Sequence, residues 1–173
     1  KEMITIGDLQ VTPFFKYHDA SDPHSFVINC NGISIGVLTD IGTVCEEVIH
    51  HFKQCHAVFL EANYDATMLE NGKYPIHLKN RIRGGHGHLS NKEALDLFIT
   101  HRSPNLSHLL LSHLSKENNS PEMVEALFKQ YANGITIAIA YRHRATEIFS
   151  ISQGTNNHAI SKVSSSLQLG LFE

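Results

Sequence analysis

Tryptophan is absent from this chain of 173 residues, cysteine occurs three times, and no apolar run is long enough to cross a bilayer. Cys30, Cys45 and Cys55 form an odd set with no CxxC pair, which argues against a disulfide framework and against a zinc ribbon. The longest apolar stretches, such as residues 135–140, fall far short of the roughly 20 residues of a membrane helix, and no signal-peptide pattern opens the chain. A cytoplasmic protein with no membrane partner is expected. Excess positive charge is missing too: 14 Lys+Arg stand against 17 Asp+Glu, a formal charge of −3, so any contact with nucleic acid has to be local. The chain also lacks an initiator methionine and opens Lys-Glu-Met-Ile already inside an alternating pattern, so a piece of something longer is expected. What it has in excess is histidine, 13 residues of it, a composition that suits metal or proton chemistry.

The length suits one compact domain. Residues 2–17 read as two extended runs, Met3, Ile4 and Ile6, then Val11, Phe14 and Phe15, joined by a Gly7-Asp8 turn, with Pro13 suited to an edge or a bulge. The clearest local signal lies in residues 25–38, where SFVINC and ISIGVL flank Asn31-Gly32, the pair that accepts the positive φ angles of a type I′ hairpin turn. Thr43 and Glu46 have the form of a capping box ahead of Val44, Val48, Ile49 and Phe52 at helical spacing. A short strand over residues 57–60 ends in Glu61, and helical patches follow at 66–70 and 76–83, the second stopped by Gly84-Gly85. Ser90 and Glu93 form a second capping box before Ala94, Leu95, Phe98 and Ile99. Residues 106–111 make a buried strand running into Ser112-His113; Ser120 and Pro121 start a helix through Met123, Leu127 and Tyr131, with Gly134 as its stop. Ile135, Ile137 and Ile139 alternate as a last strand, with which residues 146–151 are expected to pair. From Ser152 to the end a polar, serine-rich tail is expected, leaving residues 1–151 as the domain. Strands alternating with helices predict an α/β layered domain, and the front hairpin makes its sheet mixed.

His18, Asp40 and His113 share one placement: each follows the end of a predicted strand, at Tyr17, Leu38 and Leu111. Open α/β sheets build their sites there, because the loops diverge and leave a crevice. Two imidazoles and a carboxylate are reasonable ligands for zinc or manganese. Each residue also has a plainer reading: Asp40 as a turn residue, His18 as an exposed loop histidine, His113 as a structural hydrogen-bonding group between Ser112 and Ser115. The segment Gly84-Gly85-His86-Gly87-His88-Leu89-Ser90-Asn91 leads into a capped helix, where backbone N–H groups and an imidazole suit an anion; a flexible linker is the alternative. Lys79, Arg81 and Arg83 form the one concentrated basic patch, either a solvated helix face or a phosphate grip. His50, His51 and His56 with Cys55 match no zinc-module spacing and read as surface or helix-end residues.

YHDASDP (17–23), LTDIG (38–42), FLEANYDATML (59–69), GHLSN (87–91) and LSHLSKENN (111–119) together resemble, in order and spacing, the second half of the YycJ (WalJ) family of metallo-β-lactamase-fold proteins. That family is a DNA exonuclease branch of the fold, related to ribonuclease Z. The resemblance implies an αββα sandwich of which this chain is the C-terminal half, a mixed sheet with helices on one face. By the same resemblance, His18 matches a ligand of one metal, Asp40 the aspartate bridging two metals, and His113 the histidine on the second metal. Glu61 and His88 are similar to a glutamate–histidine pair that donates a proton near the leaving group.

The implied chemistry is phosphodiester hydrolysis by two divalent ions, zinc or manganese, which would lower the pKa of a bridging water and stabilise charge on the phosphate, while His88, oriented by Glu61, protonates the departing oxygen. Lys79, Arg81 and Arg83 would hold the nucleic acid. The family's H-x-H-x-D-H signature is absent, and Tyr64 stands where relatives often carry a histidine. The expected partner is therefore the missing N-terminal half, or a second copy of the chain across the apolar face left open, and the chain alone is expected to be inactive. The rival readings are a thioester- or lactone-type metallohydrolase on the same fold and a non-catalytic module that has lost its metals.

Overall fold

Asn31 and Gly32 take φ angles of 48° and 78°, the left-handed pair that a type I′ turn requires, and β3 (His24–Cys30) and β4 (Ile33–Leu38) close around them as a hairpin. The structure, a computed structural model, describes residues 2–152. Ahead of the hairpin, β1 (Ile4–Ile6) and β2 (Leu9–Phe15) turn about Gly7-Asp8. Because β1 pairs only with residues 9–11, Pro13 lies where that side of β2 is open and no amide is needed there. The chain then alternates: α1 (Glu46–Phe52), β5 (Ala57–Glu61), α2 (Ala66–Asn71), α3 (Ile76–Arg83), α4 (Asn91–His101), β6 (His108–Ser112), α5 (Pro121–Lys129) and β7 (Thr136–Ile139).

All seven strands form one sheet whose spatial order is their order in the chain, antiparallel from β1 to β4 and parallel from β4 to β7. Crossovers that keep one hand and always step in the same direction put their helices on one face, and α1, α4 and α5 all contribute to a single core cluster there. That face holds the core. One row across it reads Val27, Gly36, Val58, Leu109 and Ile137, and Phe52, Phe98 and Phe128, one from each of three helices, are fully buried with it. The opposite face is apolar as well. Its matching row is Phe26, Val37, Phe59, Leu110 and Ala138, with Ile4, Ile6 and Phe15 at its outer end exposed at 56%, 61% and 47%. A mixed sheet with helices on one face is thus what forms, and among the described residues no helix is long and apolar enough to cross a membrane.

Two local expectations fail. Thr43 caps nothing, because its backbone is engaged in an isolated antiparallel bridge with Tyr17; α1 starts later, behind Cys45, without a side-chain cap. Residues 146–151 do not pair with β7: the segment stands off the strand across a cavity of about 490 Å³ lined by both, Ile148 points into solvent, and only Phe149 returns, edge-on to His108 at 5.3 Å. An edge strand there would have to hold exposed apolar side chains with nothing packed over them. The capping box at Ser90 and Glu93 forms in full. Apart from Ser152, the expected tail lies outside the described residues.

Cys55 is fully buried under Gly36, and burial pushes its thiol up to about 12, whereas Cys30 and Cys45 are half-buried. Thiolate is the reactive form, so a disulfide reagent at pH 8 should label two thiols in the folded chain and the third only on denaturation. Immediate labelling of all three would contradict this packing.

Candidate metal centre

The parallel strands β4, β5 and β6 end level with one another: Leu38 faces Leu60, Leu60 faces Leu111, and Glu61 faces Ser112. Asp40, Glu61 and His113 therefore leave one carboxyl edge together, in the crevice where α/β sheets place their sites. His18 reaches it from β2, because the Tyr17–Thr43 bridge and the 2.6 Å hydrogen bond from the Gly42 amide to the Tyr17 carbonyl set the next residue beside Asp40. His18 Nε2 lies 3.7 Å and His113 Nδ1 3.5 Å from the same Asp40 oxygen, Oδ1. His88 sits between the two, its ring centroid 5.2 Å from that of His18 and 5.0 Å from that of His113.

Glu61 organises the group. No part of its side chain is exposed, and both oxygens are saturated. Oε1 accepts from His113 Nδ1 at 2.7 Å and His88 Nδ1 at 2.8 Å; Oε2 accepts from the amides of Ile41 at 2.7 Å and Leu89 at 3.3 Å. Burial works to raise its pKa, but the hydrogen bonds from His113, His88 and Ile41 outweigh it and hold the carboxyl below its usual range. The same bond to Glu61, against burial and with help from Asp40, holds His113 above the ordinary histidine value. Behind them the buried Lys16 donates to the Thr39 carbonyl; burial lowers its pKa while Asp40 and Glu61 resist.

The chemistry of the donor set suits a divalent ion: ligand atoms of Asp40, Glu61, His88 and His113 all lie within 4.8 Å of one another, and with Glu61 already taken up by protein donors the imidazoles and Asp40 are the groups left to bind one. His18 donates from Nδ1 to the Gly87 carbonyl at 2.8 Å, which leaves Nε2 as its lone-pair atom, the outer hydrogen bond that fixes the tautomer of metal-bound histidines. Asp40 and His113 both have φ of 56°, a left-handed conformation costing about 1–3 kcal/mol away from glycine and found where function demands it.

Five residues singled out from the sequence thus converge, and others missed there hold them. Asn63 donates to the His113 carbonyl at 2.7 Å and so supports its rare backbone. Asn119, buried, bonds the carbonyls of Ala62 and Asn63 and exchanges hydrogen bonds with Asn91. No sequence pattern singles these asparagines out; the signal that could have found them is their place in the same segments as Glu61, His88 and His113. The helix end expected to attract an external anion is already used: the amides of Leu89, Ser90, Asn91 and Glu93 all donate to protein acceptors, Leu89 to Glu61 itself. The basic patch divides. Lys79 is buried and donates to the Glu70 carbonyl, exposed Arg83 pairs with Glu70 at 2.7 Å, and exposed Arg81 pairs with Asp19, next to His18, holding that carboxyl below its usual range.

No family model matches the chain. Among curated proteins it is 32% identical over 126 residues to exodeoxyribonuclease YycJ of Bacillus anthracis, covering 73% of this chain and 48% of that protein. It is 34% identical over 119 residues to exodeoxyribonuclease WalJ of Streptococcus pneumoniae serotype 2 (strain D39), covering 69% and 44%. The chain belongs to the YycJ/WalJ-like family of metallo-β-lactamase-fold metallohydrolases. It spans about half the length of the curated relatives it matches. The fold agrees with the solved structure of YhfI from Bacillus subtilis, described as a metallo-β-lactamase fold protein, with a TM-score of 0.57 at 15% identity over 80% of this chain and 49% of that one.

Within this family member, two glycines set how closely the site's loops approach. A Cβ on Gly42 would lie 2.4 Å from the Gly85 carbonyl oxygen and 2.5 Å from His86 Cα, and one on Gly87 2.1 Å from the Ile82 carbonyl oxygen. These neighbours are backbone and cannot turn aside.

Gly42→Ala should therefore push the Gly-His loop off the Asp40 turn and cost about 1–3 kcal/mol in urea unfolding, with loss of the His18–Gly87 contact seen in the His18 ring resonances. A variant of unchanged stability would refute this close packing. In the metal-free chain, ring NMR titration should show His113 keeping its proton above the ordinary histidine value, and Glu61→Gln should bring it back. The stability from His113 is present below its unfolded pKa and fades as pH rises through the folded one; that from Glu61 is present above the unfolded carboxylate value and fades as pH falls through the folded one.

Proposed function

We propose that this chain is the C-terminal half of a catalytic domain whose complete form is a metal-dependent phosphodiesterase, a DNA exonuclease. The observation that carries this reading is the convergence of His18, Asp40 and His113 on one crevice beside a histidine, His88, that is held by a buried glutamate. The exodeoxyribonuclease names of the curated relatives support the substrate class.

In this reading His18, Asp40 and His113 would hold two divalent ions, zinc or manganese. Such ions supply Lewis acidity, lowering the pKa of water and offsetting charge that gathers on the phosphate. Glu61 fixes the His88 ring through Nδ1, so that Nε2 is the atom that passes a proton to the departing oxygen. Arg81 and Arg83 offer their charges to the phosphate backbone, and Lys79 holds α3 to α2 behind them. Three ligands are too few to complete either ion; the remainder belong to the N-terminal half, which also covers the apolar sheet face at Ile4, Ile6, Phe15 and Phe26. Without it the chain is inactive, and that face pairs two copies. The three free thiols suit the reducing cytoplasm.

Metal analysis of the chain alone should find less than one tightly held ion per chain, and two tight ions would overturn the half-site. The complete protein with manganese should release nucleotides from end-labelled duplex DNA, and His88→Ala should slow it about 10²–10⁴-fold at unchanged metal content. Equal loss of metal would make His88 a ligand instead. A complete protein inert toward DNA but active on thioesters or lactones would overturn the nuclease reading.

A further inference from the structure

A cavity of about 560 Å³ opens directly beside His113, a size typical of sites for small organic ligands. Its walls are the segment that follows β6, the first turn of α5 and the segment that follows β7. We propose that this cavity is a nucleotide subsite, taking the base and sugar of the unit attached to the scissile phosphate; it deepens, and rests on, the nuclease reading above.

Three features point to that occupant. The first is charge. In a chain of net −3, Lys116, Arg142 and Arg144 line the cavity and, among the described residues, no carboxylate lines it; Glu122 in the first turn of α5 feels only the Arg144 charge, so the local field favours an anion against the sign of the whole molecule. The second is shape and polarity: Leu114, Pro121 and Ile139 make an apolar lining, as a base and a deoxyribose need. The third is stacking. The Arg144 guanidinium lies over the ring of half-buried Tyr141, its carbon 3.7 Å from the centroid, a flat aromatic–cationic pair of the type that stacks on bases regardless of sequence. Arg142 is tied across to the loop carrying His113 by a 3.3 Å hydrogen bond from Nη2 to the Leu114 carbonyl, so its charge lies in the cavity wall beside that loop. A nucleoside in the cavity thus has its phosphate at His113, where the chemistry is proposed to occur. Inorganic phosphate alone uses the arginines and leaves the apolar lining and Tyr141 without a partner.

The experiment is NMR titration of the chain with deoxyadenosine 5′-monophosphate in EDTA. We expect shifts centred on Tyr141 and Ile139 and binding at least tenfold tighter than inorganic phosphate or deoxyadenosine. Arg144→Glu and Tyr141→Ala should each weaken binding at least tenfold, while Lys53→Glu, at the end of α1, leaves it unchanged. Arg144 is exposed, so its variant should fold, as circular dichroism will verify. Equal affinity for inorganic phosphate, shifts elsewhere, or an unaffected Arg144→Glu variant would overturn the subsite. In the complete protein the two readings separate. DNA cleavage that is unchanged in Arg144→Glu and Tyr141→Ala overturns the subsite and leaves the nuclease standing; nucleotide binding as described in a protein that cleaves no DNA supports the subsite and removes the nuclease.

Discussion

A buried carboxylate is the constraint on which the rest of the site depends. An ionised group with no exposed surface costs several kcal/mol unless its oxygens are fully paired, and Glu61 meets that cost with donors from three other segments: the turn after β4, the loop before α4 and the loop after β6. Each donor is also a fixture of the site. The Ile41 amide follows Asp40, the Leu89 amide follows His88, and His113 binds directly. Satisfying one charge therefore fixes the positions of three functional side chains. This is why the loops around the crevice are short, interlocked and crowded to the point where Gly42 and Gly87 have no room for a side chain.

The sheet beneath is apolar on both faces. Stepping always in one direction puts the helices on one face and leaves the other free. Strands β4 to β6 are apolar on both faces, the pattern of a sheet covered on each side, whereas β1 to β3 carry their uncovered apolar residues at the outer end. The domain's core and its open face are thus separated by the thickness of a single sheet, and the crevice lies at the edge common to both.

Much of this was legible in the sequence where a residue type has a single local use. Asn31-Gly32 marked the hairpin, Ser90 and Glu93 the start of α4, and Pro121 that of α5. Strand-end placement picked out His18, Asp40 and His113, and motif order joined Glu61 and His88 to them. What stayed hidden depends on neighbours distant in the chain. Thr43 looks like a cap until Tyr17 pairs with its backbone, and Lys79 looks like a surface charge until α3 turns it onto α2. The asparagines at 63, 91 and 119 carry no signal of their own until the fold brings them together beneath the crevice. Residues 146–151 have the composition of a strand but no surface to bury.

The unbroken strand order also bears on how the molecule assembles. A sheet in which every strand pairs with its immediate predecessor in the chain can be laid down in sequence, each addition closing only one connection; the penalty is small for the hairpins and larger where β5 and β6 pair across three helices. The crevice is different. It joins residue 18 to residue 87 and residue 61 to residue 113 through single side-chain hydrogen bonds, with no strand ladder behind them. Loops held in this way have less to lose than the paired strands, so the crevice is the region expected to open first when the fold is loosened.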